Sequence, residues 1–275
     1  MTDLRFVQLL AYAASILVIC QLLAVVGAAQ NAAPIDPRQQ KALDHYHQTL
    51  GEAQNYTYTE RYQDISYDSR GKETLNYTDT YEVIFLEGAP YKKHTLHNDK
   101  PLPAKQQEEE DKKLADVATA RREGKDKEKK GLLSATFHFE LPLDQLSTRF
   151  NTVSQPEEDL GGRKNLVFLA TLPPDTLANK QAARDGLAYE MKFWVDGSDG
   201  VFARIEAKVV AEGMRYEKDS VVTYEWRKLN DEAWLPAGGK FKGKVRYMMR
   251  DVPAEAVYTF SDYKKFHADT KILAQ

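Results

Sequence analysis

The rhythm of hydrophobic and polar positions changes early in this chain. Between residues 36 and 51 it is helical: Ala42, Leu43, Tyr46 and Leu50 recur on one face. Asp36 stands where an N-cap is wanted, Pro37 suits the first helical position, and Gly51 offers a stop. The spacing predicts one amphipathic helix of about four turns.

From residue 56 the period is two. YTYTERYQDISYD alternates, turns at Asp68 to Gly71, and leads into TLNYTDTYEVIFLEG, where Tyr77, Tyr81, Val83 and Phe85 share a face. ATFHFEL sets Phe137, Phe139 and Leu141 together, and NLVFLATL (165–172) reads as a buried strand. YEMKFWV puts Tyr189, Met191, Phe193 and Val195 on one side. VFARIEAKV places Val201, Ala203, Ile205, Ala207 and Val209 opposite Arg204, Glu206 and Lys208. VVTYEWRKL turns at Asn230-Asp231 into AWLPAGGKFKGKVRYMM, and VYTFSDYKKF closes the series. Alternating strands joined by short polar turns predict an antiparallel meander with one apolar and one wet face. About nine or ten such strands curl rather than lie flat, so the expected fold is mainly β (α+β): one curled antiparallel sheet, a half-barrel, with an N-terminal helix.

One stretch breaks the pattern. YKKHTLHNDKPLPAKQQEEEDKKL begins as a strand, turns at Asn98-Asp99 and enters a charged block; residues 105 to 130 hold nine Lys/Arg and eight Asp/Glu. Glu108–Lys112, Glu109–Lys113 and Glu123–Lys127 are spaced to pair along a helix, while Leu114, Val117 and Ala118 form only a narrow apolar stripe. The segment of about 103–130 is expected to be a helical insertion, either a solvated connector or a lid at the mouth of the concavity.

Composition narrows the function classes. A formal charge of −3 gives no basic excess, so nucleic acid is not an expected partner. The apolar run from Phe6 to Ala29 reads as a signal peptide cut after Ala29 (domain boundary 1–29), or as an uncleaved anchor of residues 6–29 that contacts the inner membrane. Either reading exports the rest, to the periplasm in a Gram-negative cell. Residues 30–35 are then a spacer and 269–275 a tail. The single cysteine, Cys20, lies inside that run, so the exported part has neither disulfide nor thiol chemistry.

Candidate catalytic and metal chemistry is sparse. There is no GxSxG, GxGxxG or P-loop, and no HExxH spacing, so neither enzyme, metal nor cofactor is expected. His45 and His47 should point apart on the helix; His94 and His97, at odd spacing on a strand, should face opposite sides. DGSDG at 196–200 reads as a hairpin turn rather than a calcium loop. Tyr81, Phe85, Phe137, Phe139, Phe193, Tyr224 and Trp226 are the aromatic positions expected to be core or, in an incompletely filled half-barrel, the wall of a ligand cavity.

Four segments carry a resemblance: YEVIFLEGAPYKKHTLHNDKPLP with the charged helix after it, FWVDGSDGVFARIEA, VTYEWRKLNDEAWLPAGGKFKGKVR and YTFSDYKKF. Over about residues 36–268 the chain resembles the LolA/LolB-like half-barrels, the periplasmic outer-membrane lipoprotein-sorting proteins and their relatives. The resemblance implies a sheet wrapped around a hydrophobic cavity that takes acyl chains, with helices as lid. The chain departs from the family's carriers in its length and in the charge of its insertion. The expected function is a non-enzymatic exported carrier that holds a lipid, or the acyl chain of a lipidated protein. The alternative is a structural domain with a self-filled core whose partner is another envelope protein.

Overall fold

The computed structural model describes residues 35–68, 70–125, 141, 143–173, 188–211, 217–247 and 250–265. The N-terminal apolar run, the ATFHFEL segment with Phe137 and Phe139, and the end of the charged insertion lie outside the described residues.

Helix α1 spans Pro37–Ala53. The Asp36 carboxylate accepts from the Arg38 backbone N–H at 2.8 Å, satisfying one of the donors that a helix start leaves free. The helix runs two residues past Gly51, because Ala53 is itself buried in the core.

Eleven strands follow: β1 (Tyr56–Tyr67), β2 (Glu73–Leu86), β3 (Ala89–His97), β4 (Lys100–Pro101), β5 (Asn151–Leu160), β6 (Arg163–Thr171), β7 (Tyr189–Asp196), β8 (Phe202–Val209), β9 (Val221–Leu229), β10 (Ala233–Tyr247) and β11 (Arg250–Lys265). Between β4 and β5 come α2 (Ala104–Arg122), a 3-10 turn (Leu143–Gln145) and the short α3 (Leu146–Arg149). Among the described residues all eleven strands form one open antiparallel sheet in the order β4-β3-β2-β1-β11-β10-β9-β8-β7-β6-β5. Only the β1–β11 neighbourhood departs from a plain meander.

Asn98-Asp99 and Asn230-Asp231 make the predicted turns, with all four residues at positive φ (48° to 58°). That conformation twists a two-residue hairpin to match its strands, and Asn and Asp tolerate it better than most side chains. The DGSDG turn also forms as expected: Asp196 Oδ1 accepts from the backbone N–H of Ser198 (3.0 Å) and of Asp199 (2.8 Å).

The polar strand β5 was not expected. Its residues are mostly exposed and it lies at the sheet edge, so no apolar alternation marks it; Pro156 sits in its pairing irregularity, where a missing N–H costs nothing. In β8 the alternation predicted from sequence fails at Ala203. Register shifts there between Trp194/Val195 and their partners, so Phe202 enters the core at 3% exposure and packs on Phe193 at 5.5 Å.

Two apolar clusters hold the sheet. The larger gathers Phe168, Met191, Phe193, Ile205, Val222, Tyr224 and Trp226 from β6–β9 beneath Ala42 and Leu43 of α1. The smaller joins Ala53 at the end of α1 to Tyr56, Tyr58, Val83, Leu235 and Phe260. Helix α1 therefore packs on the inner face of the sheet and contributes to both clusters.

Buried carboxylates make the fold sensitive to acid. Burial alone would raise the Asp196 carboxyl, but the Arg163 guanidinium at 2.6 Å and two backbone N–H groups outweigh it and hold it below its ordinary 3.8. Glu255 behaves alike: burial is overcome by Lys240 and by the Tyr67 hydroxyl at 2.6 Å, so it is held below 4.5. A depressed carboxylate stabilises the fold fully above its unfolded-state pKa and loses that stabilisation as pH falls through the folded value. Urea midpoints are accordingly expected to be flat near neutral pH and to drop below about pH 4. Asp196→Asn should lower the plateau and shallow the acid decline.

Candidate functional site

Antiparallel partners standing directly opposite one another point to the same face. Following them across the sheet gives one continuous row: Phe168, Phe193, Ile205, Tyr224, Gly239, Tyr258, Tyr62, Asp79, His97. Its first half is sealed, with Phe193 and Ile205 fully buried and Tyr224 at 1% exposure. Past Gly239 the row becomes polar, half-buried at Tyr258, Tyr62 and Asp79 and exposed at His97.

The emerging part is a shelf of rings. Tyr62 packs on Tyr258 at 5.0 Å and on Tyr77 at 5.8 Å; Tyr77 stacks on His97 at 6.2 Å, and Tyr81 stacks on His94 at 4.9 Å. Burial, then the neighbouring Tyr258, Tyr77 and Asp64, hold the Tyr62 phenol well above its ordinary 10. Burial and the Asp79 carboxylate do the same to Tyr81. Both phenols stay neutral at any physiological pH and serve as donors, Tyr62 to Asp64 Oδ2 at 3.2 Å and Tyr81 to Asp79 Oδ2 at 3.4 Å.

At the inner end of the shelf lies an ion pair. Glu60 is completely buried and is bonded to the Lys92 ammonium, which also stands 4.6 Å over the Tyr81 ring. A charge taken out of water is costly unless paired, so this pair fixes β1 and β3 on either side of β2.

The residues expected to line a cavity separate into three groups. Phe193, Tyr224 and Trp226 meet in the larger cluster under α1, where Tyr46 packs edge-on to Trp226 at 6.0 Å. Phe85 packs partly buried against the smaller cluster, and Tyr81 belongs to the shelf. Phe137 and Phe139 lie outside the described residues. Tyr62, Tyr258 and the Glu60–Lys92 pair were not singled out from sequence, and Tyr77 only as one of a strand face; the YTYTERY and YTD alternations carry a signal for the rings, but none for the buried charge.

His94 and His97 do not face opposite sides. Thr80 pairs with Leu96 and Tyr81 with His94, which leaves Thr95 as an extra residue in β3. That bulge inverts the alternation and brings both imidazoles to the inner face beside Asp79. His45 and His47 do point apart, toward Gly200 O and Asp144 respectively.

Helix α2 runs along β3, beside the short edge strand β4, and buries none of its own residues. Lys93 pairs with Asp111 at 2.6 Å, and Lys113 takes Glu110 (2.5 Å) rather than the expected Glu109. Arg121 donates to the carbonyls of Leu86 (3.1 Å), Ala89 (2.7 Å) and Pro90 (3.1 Å). Lys93 alternates with Lys92 and His94, so this anchorage is on the side of β3 away from the shelf. Leu114, Val117 and Ala118 are half-buried there. Among the described residues no helix is long and apolar enough to cross a membrane.

Solved structures similar to this chain include an outer membrane lipoprotein-sorting protein domain from Vibrio parahaemolyticus, at 10% identity over 85% of this chain and 95% of that one, with a TM-score of 0.39. A DUF1329 family protein from Desulfovibrio piger matches at 10% identity over 86% and 96%, TM-score 0.34. A LolA superfamily protein from Nitrosomonas europaea matches at 10% identity over 80% and 93%, TM-score 0.31. No protein-family model and no curated protein matches the chain.

Proposed function

We propose that this protein is a non-enzymatic, exported binding protein that holds an acyl chain, free or attached to a lipoprotein, against the inner face of its curled sheet. One observation carries the reading. The inner face does not end at its sealed half, but continues past Gly239 as a shelf of half-buried rings, Tyr258, Tyr62, Tyr77 and Tyr81. Such rings offer apolar area with a hydroxyl at the rim, which suits a chain lying along them. At about 0.8 kcal/mol per buried methylene, one fatty chain supplies micromolar binding or better.

A second feature supports the reading. Gln39 on α1 is fully buried and, among the described residues, neither end of its amide has a hydrogen-bond partner, nor has the Trp226 indole N–H beneath the same helix. Each such group costs about 1–3 kcal/mol, so α1 is a less than ideal cover, and a chain that displaced it would reach Phe193, Tyr224 and Trp226. Native mass spectrometry of the protein from its own envelope tests the reading: a mass excess matching a fatty acid or phospholipid is expected.

The competing reading is an envelope interaction domain with a self-filled core. It is favoured by the burial of those same three aromatics under α1, and a ligand-free mass in every preparation would support it.

We extend the proposal to α2 as a movable cover: it buries none of its own residues, its apolar stripe is only half-buried, and to cover the shelf it would swing around the β3–β4 edge from the far side. Arg121→Ala removes its three carbonyl contacts on the far side, freeing the helix to reach the shelf, and is expected to slow release of a fluorescent fatty acid severalfold while leaving the melting temperature within a few degrees. Unchanged release would make the helix a connector.

A further inference from the structure

We propose that Asp79, His94 and His97 form a binding site for one divalent transition-metal ion of the zinc class. The three donor atoms lie within 4.8 Å of one another. Asp79 Oδ1 is 3.1 Å from His94 Nε2 and 2.7 Å from His97 Nδ1, so two imidazoles from one strand converge on a single carboxylate oxygen of the next. A zinc ion bonded at about 2.0–2.1 Å holds its donors roughly 3.3 Å apart. To admit one, Asp79 Oδ1 draws back from His97 Nδ1 by about half an ångström, and the two imidazole nitrogens, within 4.8 Å of each other, settle at that same spacing. Two imidazoles and a carboxylate are the donors that suit Zn²⁺, Co²⁺ and Ni²⁺, and an open position remains for water or an anionic ligand.

The site is built rather than incidental. The Thr95 bulge brings His94 to the face of His97, and without it the two rings would stand on opposite sides of β3. Tyr81 and Tyr77 stack on the two rings and fix their planes. The second carboxylate oxygen of Asp79 accepts from the Tyr81 hydroxyl, which leaves Oδ1 for the metal. Such outer contacts orient metal ligands and raise affinity. Side-chain exposure rises from 14% at Asp79 through 24% at His94 to 52% at His97, so the ion has a route in from solvent.

Without metal, each ring directs an N–H at Asp79 Oδ1, and His94 Nε2 also lies 2.8 Å from Leu96 O. On loading, each neutral ring moves its proton to its other nitrogen and the ion takes the vacated lone pair; no net proton is released. For His97 the proton moves to Nε2, now 3.1 Å from Asn98 Nδ2, so the exposed Asn98 amide must turn aside. Leu96 O is then placed as a further oxygen donor. The Glu110 carboxylate of α2, 3.4 Å from the His94 backbone N, adds negative charge nearby.

The test is calorimetric titration of the full chain with Zn²⁺ and, in parallel, visible spectroscopy with Co²⁺. One equivalent should bind, with the d–d bands of a four- or five-coordinate ion. His97→Gln, His94→Gln and Asp79→Asn should each weaken binding by about tenfold or more. A His45→Gln/His47→Gln control should leave it unchanged. Circular dichroism checks folding, and His97, half-exposed, provides a variant that does not disturb the core. No binding by the folded chain, or an affinity indifferent to both His94→Gln and His97→Gln, would overturn the assignment and leave a hydrogen-bonded cluster only.

Discussion

Tyr224→Ala is expected to lower the unfolding free energy by about 4 kcal/mol, the range found when a fully buried aromatic ring is deleted from a core. Tyr224 stands at the middle of the inner-face row, 1% exposed, between Ile205 and Gly239, with Trp226 6.3 Å away along its own strand. Gly239 has no side chain that could move into the gap, and the sheet backbone on both flanks is fixed by its ladder. The cavity would thus persist instead of collapsing. For a domain of this size the loss corresponds to a fall in melting temperature of roughly 8–16 °C. Leu75→Ala, at a site 51% exposed, is the control and should change stability by less than about 0.5 kcal/mol. Differential scanning calorimetry of the three proteins decides it.

Lys92→Met should cost nearly as much, about 3 kcal/mol, by leaving the Glu60 carboxylate buried without its ammonium. The methionine keeps the length of the stem over Tyr81, so the loss reports the charge and not the packing. A paired change, Glu60→Leu with Lys92→Met, should recover most of it, since removing both charges removes the desolvation penalty as well. Urea unfolding of the single and double variants separates the two effects. A double variant no better than the single one would mean that Glu60 is held chiefly by groups other than Lys92.

The architecture was largely legible from period alone. The helix start at Asp36-Pro37, the Asn-Asp turns and the antiparallel order all rest on local chemistry, which a sequence carries directly. What period could not carry was the bulge. At Thr95 and again at Ala203 one extra residue reverses the alternation, and with it the side on which His94 and Phe202 lie. Nothing in HTLH or VFAR marks such an insertion, because it is decided by the partner strand. The Asp79–His94–His97 cluster was therefore hidden, although its residue types were in plain view.

Burial of charge was hidden for a different reason. Glu60 sits in YTYTERY at a position whose neighbours in period two are tyrosines, and its partner Lys92 lies 32 residues away across β2. The charge of α2 foretold its solvated surface correctly. Its attachment through Arg121 to backbone carbonyls left no pattern, since carbonyls are present at every residue.

The central claim is that acyl chains lie along the inner-face shelf. The most direct test is photocrosslinking with a diazirine-labelled fatty acid, followed by peptide mapping. Adducts concentrated in the strands of Tyr62, Tyr77, Tyr81 and Tyr258 are the result this account predicts. Labelling spread evenly over the surface, or confined to the exposed edge strand β5, would contradict it.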